Sequence, residues 1–250
     1  MEPVRSPRNQ RVAAAVRLRR ARERRETQMT FLEGPNLLEA AAAAGASVGP
    51  VFALDGDHET ARIASAAEYE LVIVTQAVLE RLAPTKHPRG PVAIMPIPPS
   101  ATISDRHILV LWGVADPGNA GTLIRTAAAF GFGVAVGSNS VDPWSPKVLR
   151  AAAGAHFAVP VESPLADLGD LRKRGLHTVA SVVRDGVTPD AISGSDRMAL
   201  IVGGEGQGLP DEVAASCDSK VTIPMLSNLE SLNASVAGSI LMYELAKRRG

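Results

Sequence analysis

Residues 201–210 read IVGGEGQGLP, a short apolar run that empties into four glycines within six positions. An apolar run of that length bounded by glycine is a buried strand breaking into a loop, since glycine weakens any element it interrupts. Regular structure resumes at Pro210, a residue suited to a helix start. A second unit of the same kind follows. Val221 to Pro224 predicts a strand, a polar loop comes next, and the segment up to Arg249 predicts a long helix with little exposed apolar-free face. Ser227 and Glu230 have the spacing of a capping box ahead of that helix. A glycine-rich strand-to-helix turn taken alone is more often a structural turn or a dinucleotide loop than anything rarer. The dinucleotide alternative needs the loop after the first strand of a βαβ unit and an acidic residue about 20 positions on. Here the loop lies late in the chain and Glu205 sits inside it, where its charge opposes a pyrophosphate.

The chain before this stretch alternates strands and helices. Asn9 to Thr27 predicts a helix with a thin apolar stripe, Val12 and Val16. The alanine run 40–44 predicts a helix interior, alanine being the best helix former. Strands are expected at 51–54, 71–75 and 92–97, with helices at 59–69 and 76–82 between them. Pro96, Pro98 and Pro99 mark a linker, because proline continues neither a central strand nor a helix. Beyond it, strands are expected at 108–112, 134–136, 157–161, 178–183, 198–202 and 221–223, and helices at 120–130, 146–153 and 166–174. This pattern predicts two α/β domains, 1–99 and 100–250. The second predicts a parallel sheet, with ligand loops at the carboxyl ends of its strands.

Charge is distributed unevenly. The formal net charge is zero, yet residues 1–25 hold nine arginines against Glu2 and Glu23, which makes this arm +7 and the remainder −7. A basic arm suits a phosphate backbone, although a charge run is usually a solvated helix face. Arg17, Arg20 and Arg24 are its candidate RNA contacts, and Lys147 and Arg150, about one turn apart, are further ones. One cysteine, Cys217, excludes an internal disulfide and a cysteine-cluster zinc site. The five histidines show no metal-ligand spacing, and no P-loop or G-x-S-x-G elbow is present, so no metal site, triphosphatase or serine hydrolase is expected. No apolar run suits a membrane span and the arginine-rich start does not suit a signal peptide, so a cytoplasmic protein is expected.

Three segments carry a family resemblance. DPGNAGTLIRTAAAFG (116–131), GGEGQG (203–208) and IPM with SLNASVA (223–225 and 231–237) resemble the three motifs of the SpoU branch of the SPOUT RNA methyltransferases, in the same order. The N-terminal segment SPRNQRVAAAVRLRRARERRETQMTFLEGPNLLEAA is similar to the start of the L30e/L7Ae-like substrate-binding domain of two-domain ribosomal-RNA enzymes of this kind. The segment 85–91, TKHPRGP, departs from the family's usual glutamine-glycine turn.

The resemblance implies a trefoil knot in the C-terminal domain, S-adenosylmethionine as cofactor, a homodimer, and 2′-O-ribose methylation of RNA. A knot would be one of the rare exceptions to unthreaded folds. The two-domain build implies 23S ribosomal RNA as acceptor, and some two-domain relatives confer resistance to ribosome-targeting antibiotics. A tRNA methyltransferase and a catalytically silent RNA-binding assembly factor remain as alternatives. By the same resemblance Asn119, Arg125, Glu205, Ser231 and Asn233 are the catalytic candidates. Gly203, Gly204, Gly208, Ile223 and Leu232 are the cofactor-binding candidates, acting mostly through backbone groups. A guanidinium is not deprotonated in proteins, so Arg125 is expected to orient the ribose hydroxyl and offset developing negative charge. Glu205 is expected to hold Arg125 in a bidentate pair. Each has a structural alternative: a surface arginine, a turn or cap asparagine, a carboxylate that satisfies loop amides.

Overall fold

The computed structural model describes residues 2–83, 85, 88, 90–192, 197–206, 208–226 and 230–247. The chain divides into two compact units, one of residues 1–99 with 144–157 and one of residues 100–143 with 158–250.

In the first unit the arm forms two helices, α1 (Gln10–Arg17) and α2 (Ala21–Thr27), where one was expected. The break has a local cause. Arg24 is buried, and its guanidinium donates to the carbonyls of Leu18 (3.0 Å) and Arg19 (3.5 Å), oxygens that a continuous helix would occupy internally. A strand not expected from the sequence follows, β1 (Met29–Glu33), then α3 (Pro35–Ala43), β2 (Val51–Leu54), α4 (His58–Ala66), β3 (Leu71–Val74), α5 (Gln76–Leu82) and β4 (Val92–Pro96). The sheet order is β1-β4-β2-β3, with β2 and β3 parallel and β4 antiparallel to β1 and β2. Val4 adds a parallel bridge to Val74, so the chain start covers the outer edge of β3. Val12, Ala15 and Leu18 bury the stripe of α1 against a core that includes Phe31, Phe52, Val78 and Leu82. The sequence stripe along α1 was therefore a packing face.

The second unit opens with β5 (Ile108–Trp112), α6 (Pro117–Phe130) and β6 (Gly133–Val136). Asp116 caps α6 by accepting from the Asn119 amide at 2.8 Å, and Gly131 ends it in the left-handed conformation that glycine tolerates best. Residues 144–157 then belong to the first unit. They carry α7 (Pro146–Ala151), capped by Ser145, and Thr30 of β1 donates to the Trp144 carbonyl at 2.6 Å. The chain continues through β7 (Val161–Glu162), α8 (Gly169–Lys173), β8 (His177–Ser181), β9 (Met198–Gly203), α9 (Asp211–Ala215), β10 (Ser219–Val221) and α10 (Ala234–Ala246). Residues 155–158 are a short 3-10 turn, not the start of a strand at 157, so that strand is reduced to two residues at the sheet edge.

The sheet order is β10-β8-β9-β5-β6-β7, and every pairing is parallel. Both β5 and β9 are buried along almost their whole length, as central parallel strands covered on two faces require. Glu162 and Arg174 form a bidentate pair at 2.6 and 2.7 Å, and the Ile103 amide also donates to Glu162 at 3.4 Å. These bonds tie the segment before β5 to β7 and to the end of α8.

Candidate active site

The carboxyl ends of β10, β8 and β9 lie side by side in the sheet, and they open onto a cavity of about 340 Å³ with the start of α10. That volume lies at the small end of the range for small-molecule sites. Gly203 reaches it from the end of β9, Gly204, Glu205 and Gly208 from the loop that follows, Ile223 from the segment after β10, and Ser231, Leu232 and Asn233 from the approach to α10. Eight of the ten residues expected to serve catalysis or the cofactor thus line one cavity, drawn from three separate segments between residues 203 and 233.

The glycines have a local physical reason. A Cβ on Gly203 would run into the Gly208 carbonyl carbon and the Leu209 amide, and one on Gly204 into the Gly113 carbonyl. The close approach expected for a ligand is thus first an approach of backbone to backbone. Gly204 and Gly208 form a bridge that closes the loop, and Gly113 abuts it from the end of β5.

Glu205 is exposed and accepts from two amides. Asn119 Nδ2 donates to its Oε1, and Asn233 Nδ2 does so at 3.4 Å. Asn119 is itself buried and fixed at the start of α6 by the Asp116 cap. Asn233 also caps α10, its Oδ1 accepting from the amides of Ser235 (2.9 Å) and Val236 (3.3 Å) and from the Ser235 hydroxyl (2.7 Å). The capping box expected at Ser227 and Glu230 lies partly outside the described residues, since Ser227 is not among them. The helix starts only after Asn233.

Arg125 does not complete this network. Among the described residues it makes no ion pair with Glu205, and it is exposed on α6. Helix geometry accounts for the difference. Asn119 lies inside α6, not in a loop before it, and six residues at about 100° each leave the two side chains on different faces. The carboxylate is satisfied by the amide on its own side.

The helices behind the site pack closely. Gly238 of α10 faces Leu123 of α6, where a Cβ would also come within 3.2 Å of Val202, and Thr126 and Ser239 share a hydrogen bond of 3.0 Å. On the outer face of α10, Val236, Ile240 and Tyr243 are 46%, 37% and 48% exposed, so this helix does present an apolar stripe. Phe130 of α6 stands 5.7 Å from the Tyr243 ring.

Of the other expected residues, Arg17, Arg20, Lys147 and Arg150 are exposed, and Arg150 contacts Glu33 at 3.3 Å. Arg24 is corrected: its guanidinium is buried against the Leu18 and Arg19 carbonyls just beyond α1, which leaves it little surface for RNA. Burial pushes the Cys217 thiol above its usual range, which makes it a poor nucleophile. Sequence reasoning missed Ser181, Val182, Val183 and Met225 as cavity walls. No spacing announces residues 181–183, because only the placement of β8 beside β9 brings them there, whereas Met225 lay inside the quoted IPM motif without being singled out.

The lining of the cavity carries charge of one sign. Glu205 is the one charged side chain among its described lining residues, and Val182, Val202, Ile223 and Leu232 give it apolar walls. A cationic group is favoured beside that carboxylate and an anionic one is opposed.

Residues 106–243 match the SpoU rRNA Methylase family, and residues 9–93 match the MRM3-like substrate binding domain. The 23S rRNA (guanosine(2553)-2'-O)-methyltransferase RlmP of Bacillus subtilis is 31% identical, over 98% of this chain and 99% of its own. The crystal structure of an AdoMet-bound rRNA methyltransferase from Sinorhizobium meliloti superposes with a TM-score of 0.84 at 26% identity, covering 99% of this chain and 98% of that one. The SpoU methyltransferase AviRb from Streptomyces viridochromogenes, at 22% identity, shares the fold with a TM-score of 0.85 over 97% of this chain and 98% of its own.

Proposed function

The chain belongs to the SpoU rRNA Methylase family, and from that premise we propose that it methylates a ribose 2′-hydroxyl of 23S ribosomal RNA with S-adenosylmethionine as donor. One observation carries this reading: the second and third sequence motifs line a single cavity, and the first reaches it through Asn119, which shares the Glu205 carboxylate with Asn233.

When bound, S-adenosylmethionine supplies a methyl group made electrophilic by its sulfonium. The chain's own residues have to bind it, exclude water and align the acceptor. Backbone groups of Gly203, Gly204 and Leu232, with the apolar walls, are suited to hold the adenosyl portion. The Glu205 carboxylate complements the donor's positive charge and is held in place by Asn119 and Asn233. Arg125, exposed on α6, is assigned to the RNA, where a guanidinium orients the ribose hydroxyl or its neighbouring phosphate without taking a proton.

The domain at 9–93 is assigned to substrate capture, which favours ribosomal RNA over tRNA. The apolar stripe of Val236, Ile240 and Tyr243 is assigned to pairing with a second copy. No helix among the described residues is long and apolar enough to cross a membrane, consistent with a place of action beside the ribosome in the cytoplasm. The knotted threading implied by the motifs is assigned to the loops after β9 and β10.

Labelled methyl transfer tests the proposal, with 23S rRNA and tRNA taken unmodified from a strain lacking this gene. Label is expected in 23S rRNA and lost with Arg125→Ala. Label confined to tRNA would sink the ribosomal assignment. No label in either RNA, with S-adenosylmethionine still bound, would point to the silent binder.

A further inference from the structure

The first unit holds a cleft that the transfer chemistry leaves unused. Its walls are the segment leading into α1, α1 itself and the last turn of α5, and Ser6, Pro7, Arg8, Ala13, Val16 and Arg81 line it. Pro7, Ala13 and Val16 form an uncharged floor between two exposed arginines, Arg8 and Arg81. Arg19 joins them, donating to the Arg81 carbonyl at 3.4 Å. The Arg8 amide donates to Ser6 Oγ at 3.2 Å, which fixes the turn that presents this residue.

The charge of these groups is left standing. Among the described residues neither Arg8 nor Arg81 meets a carboxylate within ion-pair distance, whereas Arg11 on the same helix pairs with Glu70 and Arg22 with Glu26. Like charges gathered without counter-charge repel one another, and a polyanion laid between them removes that cost. The lining offers no aromatic ring for base stacking and no amide or carboxylate to read a base edge. What remains is recognition of phosphate.

We propose that this cleft is a phosphodiester-binding subsite in which Arg8 and Arg81, with Arg19 beside them, take backbone phosphates of the RNA substrate without regard to sequence. It rests on the RNA reading above but not on which RNA is methylated. The sequence had pointed to Arg17, Arg20 and Arg24 for this work. Arg17 and Arg20 are exposed and Arg24 is buried, and the proposed subsite adds Arg8 and Arg81 to the first two.

The test is the salt dependence of RNA binding by the full chain, with a 23S rRNA fragment and a mixed-sequence RNA of equal length as probes. In R8A/R81A the slope of log K against log salt is expected to shrink by about 0.7–0.9 for each arginine, equally for both probes. The R8K/R81K variant should keep the slope, because lysine also serves phosphate as a point charge. R11A, whose partner already neutralises the native side chain, should leave it unchanged. An unchanged slope in R8A/R81A overturns the proposal and gives the cleft to an acidic protein segment instead. An equal loss in R11A overturns it too, by showing diffuse charge in place of a site. If the slope falls as expected while wild type methylates only tRNA, the subsite stands and the ribosomal assignment falls.

Discussion

Asn119 shows how one side chain acquires a role through its neighbours. Its backbone amide is spent on the Asp116 cap, and its side-chain amide is aimed at Glu205 across a sequence separation of 86 residues. A hydrogen bond to an ionised carboxylate contributes about 1.5–3 kcal/mol net, so losing it corresponds to roughly tenfold to a hundredfold in rate if it acts on transfer. Asn119→Ala is therefore expected to lower kcat by that factor while the thermal midpoint falls by no more than the roughly 2–4 °C per kcal/mol that one such bond accounts for. Combined with Glu205→Ala it should do no further harm, because both changes remove one interaction. Additive losses, or a large fall in thermal midpoint, would make Asn119 merely structural. The motif residues themselves were legible as a set. The partner of Glu205 was not, because the expected Arg125 lies on another face of α6 from Asn119, and that depends on where the helix begins. Arg24 was misread for a similar reason: nothing in a run of arginines tells which one turns inward to satisfy a broken helix end.

At the scale of elements, several bounds agree with the sequence to the residue, among them α5 and β5. Those that failed depend on neighbours. The edge strand β7 is two residues long, and β1 owes its place to pairing with β4. The amino ends of β8 and β10, at the edge of the sheet away from the cavity, are joined by Asp218. Its carboxylate accepts from the amide (2.8 Å) and hydroxyl (2.7 Å) of Thr178, and His177 Nε2 bonds Ser219 Oγ at 2.7 Å. Burial works to raise the pKa of Asp218, but the Thr178 bonds and the nearby His177 and Arg172 outweigh it and hold the value below the usual carboxylate range. A depressed folded pKa contributes stability that is present above the unfolded value and lost as pH falls through the folded one. Thermal unfolding followed from neutral to acid pH is thus expected to fall more steeply for wild type than for Asp218→Asn, which should already melt lower at neutral pH. Parallel acid limbs for the two proteins would remove Asp218 as the source.

For the whole molecule the open surface of α10 matters most. Residues 236, 240 and 243 follow helical spacing on one face, and the opposite face packs against α6 through Gly238. A second copy covering this stripe would bury side chains now in water at about 25 cal/mol per Å². Ile240→Glu is expected to convert a dimer to a monomer in sedimentation equilibrium, and a wild type that sediments as a monomer would refute the pairing. By itself the sequence determined the α/β class, the alternation of elements and the three segments that carry the family motifs, because periodicity, turn residues and motif spacing are local properties. Only the tertiary structure decided that β8 stands beside β9, that residues 144–157 belong to the first unit, and that Glu205 is held by asparagines instead of arginine. Those outcomes depend on strand order and on which helix face meets which loop, and both are set by packing between segments far apart in the chain.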